Sequence, residues 1–235
     1  TQVTFVLAGP RLITVRYAEP RAFSIFLALC KRPDANLVNG SAVLIGLIEA
    51  IVDRLADFIE RVQVEVDTLS KSIFGMRGST ASRQRRFDAL LRSIGREGEM
   101  TSLVRESAYS LGRLLTFLTH AANERKNDKL IKDRIRTAAR DVQSLTDHIS
   151  FLSGKIVFLL DATLGMVSIQ QNDIIKIFSI AAVVLLPPTL VASAYGMNFE
   201  FMPELKWFFG YPFALVLMVV SAVLPYLYFK RKGWL

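Results

Sequence analysis

The chain has 235 residues, a formal net charge of +8 and a hydrophobic content of 51%, with Cys30 as its single cysteine. This length holds one modest soluble domain together with two apolar, membrane-length segments, and a single cysteine excludes an internal disulfide. The positive charge is spread among acidic residues, which argues against a nucleic-acid partner, and no catalytic constellation or cofactor fingerprint stands out, which argues against an enzyme.

Residues 1–122 are predicted to form an N-terminally incomplete cytoplasmic α/β domain. The chain opens on Thr1 inside a strand-like pattern and without a signal peptide, which predicts a fragment that lacks an N-terminal piece. Runs at 2–8 and 12–17 are rich in β-branched and aromatic residues and flank a turn signal at Gly9. They predict a β-hairpin from the edge of a larger sheet.

Helical periodicity follows the hairpin. A short helix is predicted over 22–29, and a long amphipathic helix over 41–73, where apolar residues recur on one face. The glycines within 75–79 predict a break. Two further helices are predicted over 82–94 and 100–118, packed antiparallel against the long helix.

Residues 123–195 are predicted to form essentially one helix, because no proline occurs there before Pro187 and glycines are few. Its part at 123–173 is charged and is assigned to the cytoplasm, and its part at 174–195 is assigned to the membrane. A helix this long cannot bury its apolar face within one chain of this size, so a parallel homo-oligomer around this helix is expected. Pro187 and Pro188 each remove a backbone donor and predict a local distortion.

Two uncharged runs, 177–194 and 207–229, are each about long enough to span a hydrocarbon core of about 30 Å as a helix. They predict a membrane hairpin joined by a short external loop at 196–206. The basic tail at 230–235 orients the hairpin, because positive residues favour the cytoplasmic side. Both termini of this multi-pass protein are therefore expected in the cytoplasm, below the inner (plasma) membrane. The external loop carries two acidic residues, Glu200 and Glu204.

Residues before and within the first span have more than one interpretation. Asp161, Asn172 and Asp173 fit either a solvated face just below the bilayer or a ring of carboxylates around a shared axis, which attracts a hard divalent cation. Phe178 and Leu186 are more typical of lipid-facing or core positions than of a gate. Thr189 most often donates a hydrogen bond to its own helix.

The loop is the more specific feature. Gly196 can adopt backbone conformations that other residues avoid, and Asn198 offers a neutral amide oxygen. Neutral oxygens repeated around a ring can hydrogen-bond the water shell of Mg²⁺, which gives up its water reluctantly.

The run Tyr195-Gly196-Met197-Asn198, its continuation over 199–205, the two-span hairpin and the basic tail resemble the CorA family of divalent-cation channels. The resemblance implies a homopentamer with a funnel-shaped cytoplasmic domain and a pore lined by the first span. It implies that Gly196, Met197 and Asn198 form the selectivity filter at the outer mouth.

The same resemblance implies roles for residues along the pore. Thr189 would form a polar ring below the filter, Leu186 and Phe178 the hydrophobic constriction, and Asn172 a polar ring at its inner end. Asp161 would match the acidic position that helps to hold a regulatory Mg²⁺ between cytoplasmic subunits.

The expected function is passive uptake of Mg²⁺, and also of Co²⁺ or Ni²⁺, gated by intracellular Mg²⁺ and without a cofactor. One alternative is a zinc transporter of the same fold; the continuation at 199–205 favours the magnesium branch, and His120 and His148 lie far from the loop. The other alternative is a two-span receptor or scaffold with a coiled-coil stalk, which would predict a sizeable external domain.

Overall fold

The structure is a computed structural model that describes residues 2–32, 37, 39–75, 80–124, 129–197 and 207–234, with the backbone alone given for 80–85. Its elements, in chain order, are β1 (Val3–Ala8), β2 (Arg11–Arg16), α1 (Arg21–Cys30), α2 (Gly40–Phe74), α3 (Thr80–Glu124), α4 (Lys129–Tyr195) and α5 (Gly210–Arg231). They form two compact units, Thr1–Thr163 and Leu164–Leu235, and α4 contributes to both. The predicted fold class, mainly helical with a small N-terminal α/β part, is confirmed.

The predicted β-hairpin is present. β1 and β2 pair antiparallel, with Val3 opposite Arg16 and Ala8 opposite Arg11. Gly9 closes the turn with a φ of 58°, in the left-handed region that glycine adopts without steric cost. Alternate residues point to opposite faces of a strand, so one face of the hairpin carries the apolar side chains that pack on the core shared by α1 and α2: Val3, Phe5 and Leu12.

Three long helices build the core of the first unit. Helix α2 begins at Gly40, where the side chain of Asn39 accepts a hydrogen bond from the backbone N–H of Ala42 at 2.8 Å, as an N-cap does. Apolar side chains from α2, α3 and α4 share one buried cluster, which includes Ile48, Leu115 and Val142.

Contacts between side chains give the helix directions. Along α2 and α4 the pairs Glu49–Arg134, Asp67–Lys155 and Phe74–Phe158 advance in the same order, so these two helices run parallel. Helix α3 runs opposite to α4, since Arg105 hydrogen-bonds Ser153 whereas the later Gly112 lies beside the earlier Val142. The prediction that the shorter helical segments pack antiparallel to the long helices is confirmed in this unit.

The prediction of two separate helices over 82–94 and 100–118 is wrong, because α3 is continuous through this region. Gly95 and Gly98 weakened the sequence signal, and each glycine costs about 1 kcal/mol relative to alanine in a helix. Ile94, Val104 and Ala108 are buried on the core side of α3. Burial of one such branched side chain contributes about 1.5–3 kcal/mol, which outweighs the glycine cost.

The limits of the other predicted helices shift by a few residues. The long helix α4 begins at Lys129 and not at residue 123, because Asn123 and Glu124 end α3. Of the predicted break, 76–79 lies outside the described residues, as does 125–128 between α3 and α4. The helix limits thus differ from the predicted ones. The division of the chain into a cytoplasmic domain, a stalk, two spans, an external loop and a basic tail remains a prediction.

The second unit consists of the later part of α4 and of α5. Both helices are long and apolar enough to cross a membrane. Helix α5 begins at Gly210, after a turn that contains Trp207, and it continues through Arg231, so part of the predicted tail is helical. Gly210 and Ala214 are buried on one side of α5, where small residues permit the close approach of another helix.

Candidate ion-conduction site

The residues predicted to line a pore share one side of α4. Helical geometry brings residues three or four positions apart onto the same side. Seven exposed residues at that spacing form what we call the exposed stripe: Asn172, Ile175, Phe178, Ala182, Leu186, Thr189 and Ser193. Phe178 is 71% exposed and Leu186 is 63% exposed. All four predicted pore residues therefore occupy a single unpacked side within the chain.

The opposite side of α4 is packed. Five buried or half-buried residues at the same spacing form this packed face: Ile180, Val184, Pro187, Val191 and Tyr195. Ile180 is only 5% exposed. The helix is therefore asymmetric, with one face engaged inside its own unit and the exposed stripe turned away from it.

Polar residues are concentrated on the stripe side. Between 177 and 194 the polar residues are Ser179, Thr189 and Ser193. Thr189 and Ser193 belong to the stripe, and Ser179 follows Phe178 and lies beside it. A helix face that meets only lipid is expected to be uniformly apolar. The stripe instead begins with the amide of Asn172, is mostly apolar from 175 to 186, and ends with hydroxyl groups.

Thr189 hydrogen-bonds its own helix. Its hydroxyl oxygen lies 2.8 Å from the carbonyl oxygen of Leu186 and 3.0 Å from that of Leu185, so the hydroxyl donates to the preceding turn. The expectation of such a bond is confirmed. This turn contains Pro187 and Pro188, and α4 stays helical through both prolines. The oxygen of Thr189 keeps lone pairs free to accept further hydrogen bonds.

Of the predicted filter, the structure describes Gly196 and Met197. The N–H of Gly196 donates to the carbonyl of Ala192 at 3.0 Å, which ends α4. Its φ lies outside the left-handed region, so the conformational freedom expected of this glycine is not used here. An added Cβ would lie 3.2 Å from the Ala192 oxygen, which is a tight contact. Met197 is exposed.

Three predicted site residues lie outside the described residues: Asn198, Glu200 and Glu204. Asp161 is described and is exposed on the part of α4 that belongs to the first unit. Over the described ranges, no group of three or more His, Cys, Asp or Glu side chains is placed to hold a metal ion.

Sequence reasoning treated the C-terminal residues as a basic tail, but they form a defined helix cap. Gly233 has a φ of +70°. Its N–H donates to Lys230 at 3.2 Å, and the N–H of Trp234 donates to Phe229 at 3.1 Å. This is a Schellman motif, in which the apolar residue after the glycine packs back on the last turn. The ring of Trp234 stacks on Phe229 with centroids 5.4 Å apart. Glycine directly after the periodic run was the available signal.

Two membrane-length helices, with a partly polar exposed stripe on one of them, are the features of a helical membrane transport protein. Comparison with known proteins gives the family. The family model described as CorA-like Mg2+ transporter protein matches residues 1–231, and the chain belongs to this family of ion transporters, which are not enzymes.

Relatives and solved structures agree with this assignment. The magnesium transport protein CorA of Yersinia pseudotuberculosis is 41% identical, over 99% of this chain and 71% of its own length. That of Escherichia coli K12 is 40% identical over the same shares. The fold is similar to that of the CorA magnesium transporter from Methanocaldococcus jannaschii, with a TM-score of 0.77, 19% identity, and coverage of 95% of this chain and 68% of that one. The full-length CmaX protein is also similar, with a TM-score of 0.61, 16% identity, and coverage of 99% and 68%.

Proposed function

We propose that this chain assembles as a homo-oligomer, of five copies, around an axial pore for Mg²⁺ that is lined by the exposed stripe of α4. The observation that carries the proposal is the position of Asn172, Phe178, Leu186 and Thr189 on one unpacked side of a membrane-length helix, opposite its packed face. If copies of α4 surround an axis, the exposed stripe of each copy faces the water and ions of the pore. The two sides of α4 next to the stripe then contact neighbouring helices and lipid.

The chemistry along the stripe suits a hydrated divalent ion. At the outer mouth Asn198, with Gly196 and Met197, binds Mg²⁺ through its water shell, because full dehydration of this ion is costly. The Thr189 oxygen accepts hydrogen bonds from that water. Apolar rings at Leu186 and Phe178 form a constriction that gates by losing water.

The driving force is the membrane potential. Moving a divalent ion inward gains about 4.6 kcal/mol per 100 mV, twice the single-charge value. A conduction path of this kind needs no resident cofactor and no nucleotide. Co²⁺ and Ni²⁺ are divalent ions with comparable hydration shells, and they pass by the same path. The first unit and the end of α5 lie in the cytoplasm below the inner membrane.

Asp161 supplies the regulation. Exposed on α4, this carboxylate meets its counterparts on neighbouring copies, and intracellular Mg²⁺ bound between them offsets their repulsion and keeps the ring closed. When internal Mg²⁺ falls, the repulsion loosens the ring and the constriction becomes wet. The acidic residues of the external loop, Glu200 and Glu204, concentrate cations near the mouth.

The experiment is Mg²⁺ flux into proteoliposomes loaded with a fluorescent Mg²⁺ indicator under an imposed potential. Asn198→Ala is expected to abolish the flux while the size of the solubilised oligomer stays unchanged. The matched control is Asn39→Ala, which removes a helix cap in the first unit. Parallel assays with Co²⁺, Ni²⁺ and Zn²⁺ define the cargo. If Asn198→Ala conducts Mg²⁺ as well as the wild type, the assignment of Asn198 to the filter is refuted. If the wild type conducts Zn²⁺ but not Mg²⁺, the assignment of Mg²⁺ as the transported ion is refuted.

A further inference from the structure

A lysine stands close to the inner end of the exposed stripe. Lys176 follows Asn172 by about one turn of α4 and precedes Phe178. A positive charge at this height in a pore for divalent cations would repel the ion that has to pass. The side chain of Lys176 is half-buried and so is not directed freely into solvent.

The described residues give the ammonium group of Lys176 an aromatic partner. Its Nζ lies 5.5 Å from the centroid of the Trp234 ring, within the range of a cation–π interaction. The indole itself is fixed by the Schellman cap at Gly233 and by its stacking on Phe229. The end of α5 thus presents a rigid aromatic face to a lysine of α4 inside the second unit.

We propose that Trp234 is a positioning residue for ion conduction, because its indole holds the ammonium of Lys176 on the α5 side of α4 and away from the ion path. The inference rests on the proposed function, since it takes the exposed stripe as the lining of the pore. A freed Lys176 rotates on its flexible four-carbon stem and brings one positive charge per subunit nearer to Asn172 and Phe178. Such a ring of charges is repulsive to a divalent ion and is only partly screened inside a narrow path.

The test compares removal of the indole with removal of the charge. In the same proteoliposome assay Trp234→Ala is expected to lower the maximal Mg²⁺ flux on the order of tenfold, the effect of a few ammonium groups near a divalent ion. The Mg²⁺ concentration at half-maximal flux is expected to stay unchanged, because the outer mouth lies at the other end of the span. Trp234→Phe keeps an aromatic face and is expected to retain most of the flux.

The decisive variant is Trp234→Ala combined with Lys176→Met, which is expected to restore flux to near the wild-type level. Lys176→Met alone is expected to conduct as well as the wild type. If Trp234 served only to pack the end of α5, the double variant would conduct as poorly as Trp234→Ala, and the proposal would be overturned. Wild-type protein and Asn198→Ala are measured in the same experiment. If their Mg²⁺ fluxes are equal, the conduction model itself is refuted. If their fluxes differ as expected but Lys176→Met fails to restore the flux of Trp234→Ala, only the inference about Trp234 is refuted.

Discussion

Glu49 on α2 and Arg134 on α4 form a two-point ion pair. The Nε of Arg134 donates to one carboxylate oxygen at 2.9 Å and its Nη2 donates to the other. The hydrogen bond that Arg134 donates to the Glu49 carboxylate raises the pKa of Arg134 above its ordinary value. The two helices are far apart in sequence, so this pair fixes which turn of α4 lies beside which turn of α2.

Breaking this pair is expected to weaken the first unit. Because both side chains are about one-third exposed, with 29% and 36% of their surfaces accessible, the coupling between them is expected to be about 1 kcal/mol. A double-mutant cycle with Glu49→Gln and Arg134→Met, followed by thermal unfolding of the detergent-solubilised protein, measures it. The control is the same cycle with Asp133→Asn and Arg136→Met, because the pair between these two side chains is longer at 3.7 Å and more exposed. A coupling as small as in the control would contradict the assigned role.

Asp53 lies one turn after Glu49 in a crowd of acids. The pKa of Asp53 is raised above its ordinary 3.8, first by partial burial of the carboxyl group and then by the charges of Glu49, Asp57 and Asp141. The folded protein therefore binds this proton more readily than the unfolded chain does. The ionised group destabilises the fold at neutral pH, and this cost is relieved as the pH falls through the raised pKa toward 3.8.

Asp53→Asn is accordingly expected to stabilise the protein at pH 7 by about 0.2–0.5 kcal/mol, the size of a like-charge effect on a helix surface. The gain is expected to shrink on acidification and to vanish below pH 3.8. Melting temperatures across this pH range provide the measurement. Glu106→Gln, an exposed position on α3 that is not among the charges acting on Asp53, is the control and should give no such pH-dependent gain. If the stabilisation by Asp53→Asn instead increased as the pH fell, the pKa of Asp53 would not be raised in the folded protein and the prediction would be wrong.

Two glycines inside helices are expected to respond oppositely to alanine. A Cβ on Gly46 would lie 2.9 Å from Cε2 of Phe26, whose ring is buried in the core beneath the hairpin. Gly46→Ala is expected to cost about 1–3 kcal/mol through overpacking. A Cβ on Gly95 would meet nothing within 4 Å, so Gly95→Ala is expected to stabilise by about 0.5–1 kcal/mol. Chemical denaturation measures the free energy of unfolding of both variants. Equal changes would show that helix propensity, and not the contact with Phe26, determines the effect of alanine.

Local sequence patterns were enough to predict much of the fold. The hairpin was predictable because residue alternation and a glycine at position 9 both specify a tight antiparallel pair. The predicted start of the long helix at 41 is one residue from the observed start of α2 at Gly40, which Asn39 caps, and the predicted end of the stalk helix at 195 matches the end of α4. The continuity of α3 could not be foreseen, because the burial of Ile94 and Val104 that overrides the glycines exists only after α3 meets the other helices.

The candidate site divides in the same way. Periodicity alone places Asn172, Phe178, Leu186 and Thr189 on one side of a helix. It does not show which side of that helix is packed, because the packing depends on α5. The approach of Lys176 to Trp234 was missed because it joins two helices across the whole second unit. Neither residue is distinctive alone: lysine is common near a span end, and tryptophan is common at the membrane surface.

The exposed stripe makes a sharp prediction about water access. In a Cys30→Ser background, which removes the single native cysteine, a cysteine is placed either at Ala182 on the stripe or at the adjacent Ala181. Both alanines are exposed in the structure, but one residue turns a helix by about 100°. At low internal Mg²⁺, when the constriction between Phe178 and Leu186 is wet, a membrane-impermeant, positively charged thiol reagent is expected to reach Ala182→Cys and abolish most Mg²⁺ flux. Under the same conditions Ala181→Cys, facing lipid or a neighbouring helix, is expected to stay unmodified. Equal block at both positions, or block at 181 alone, would place the aqueous path elsewhere on α4.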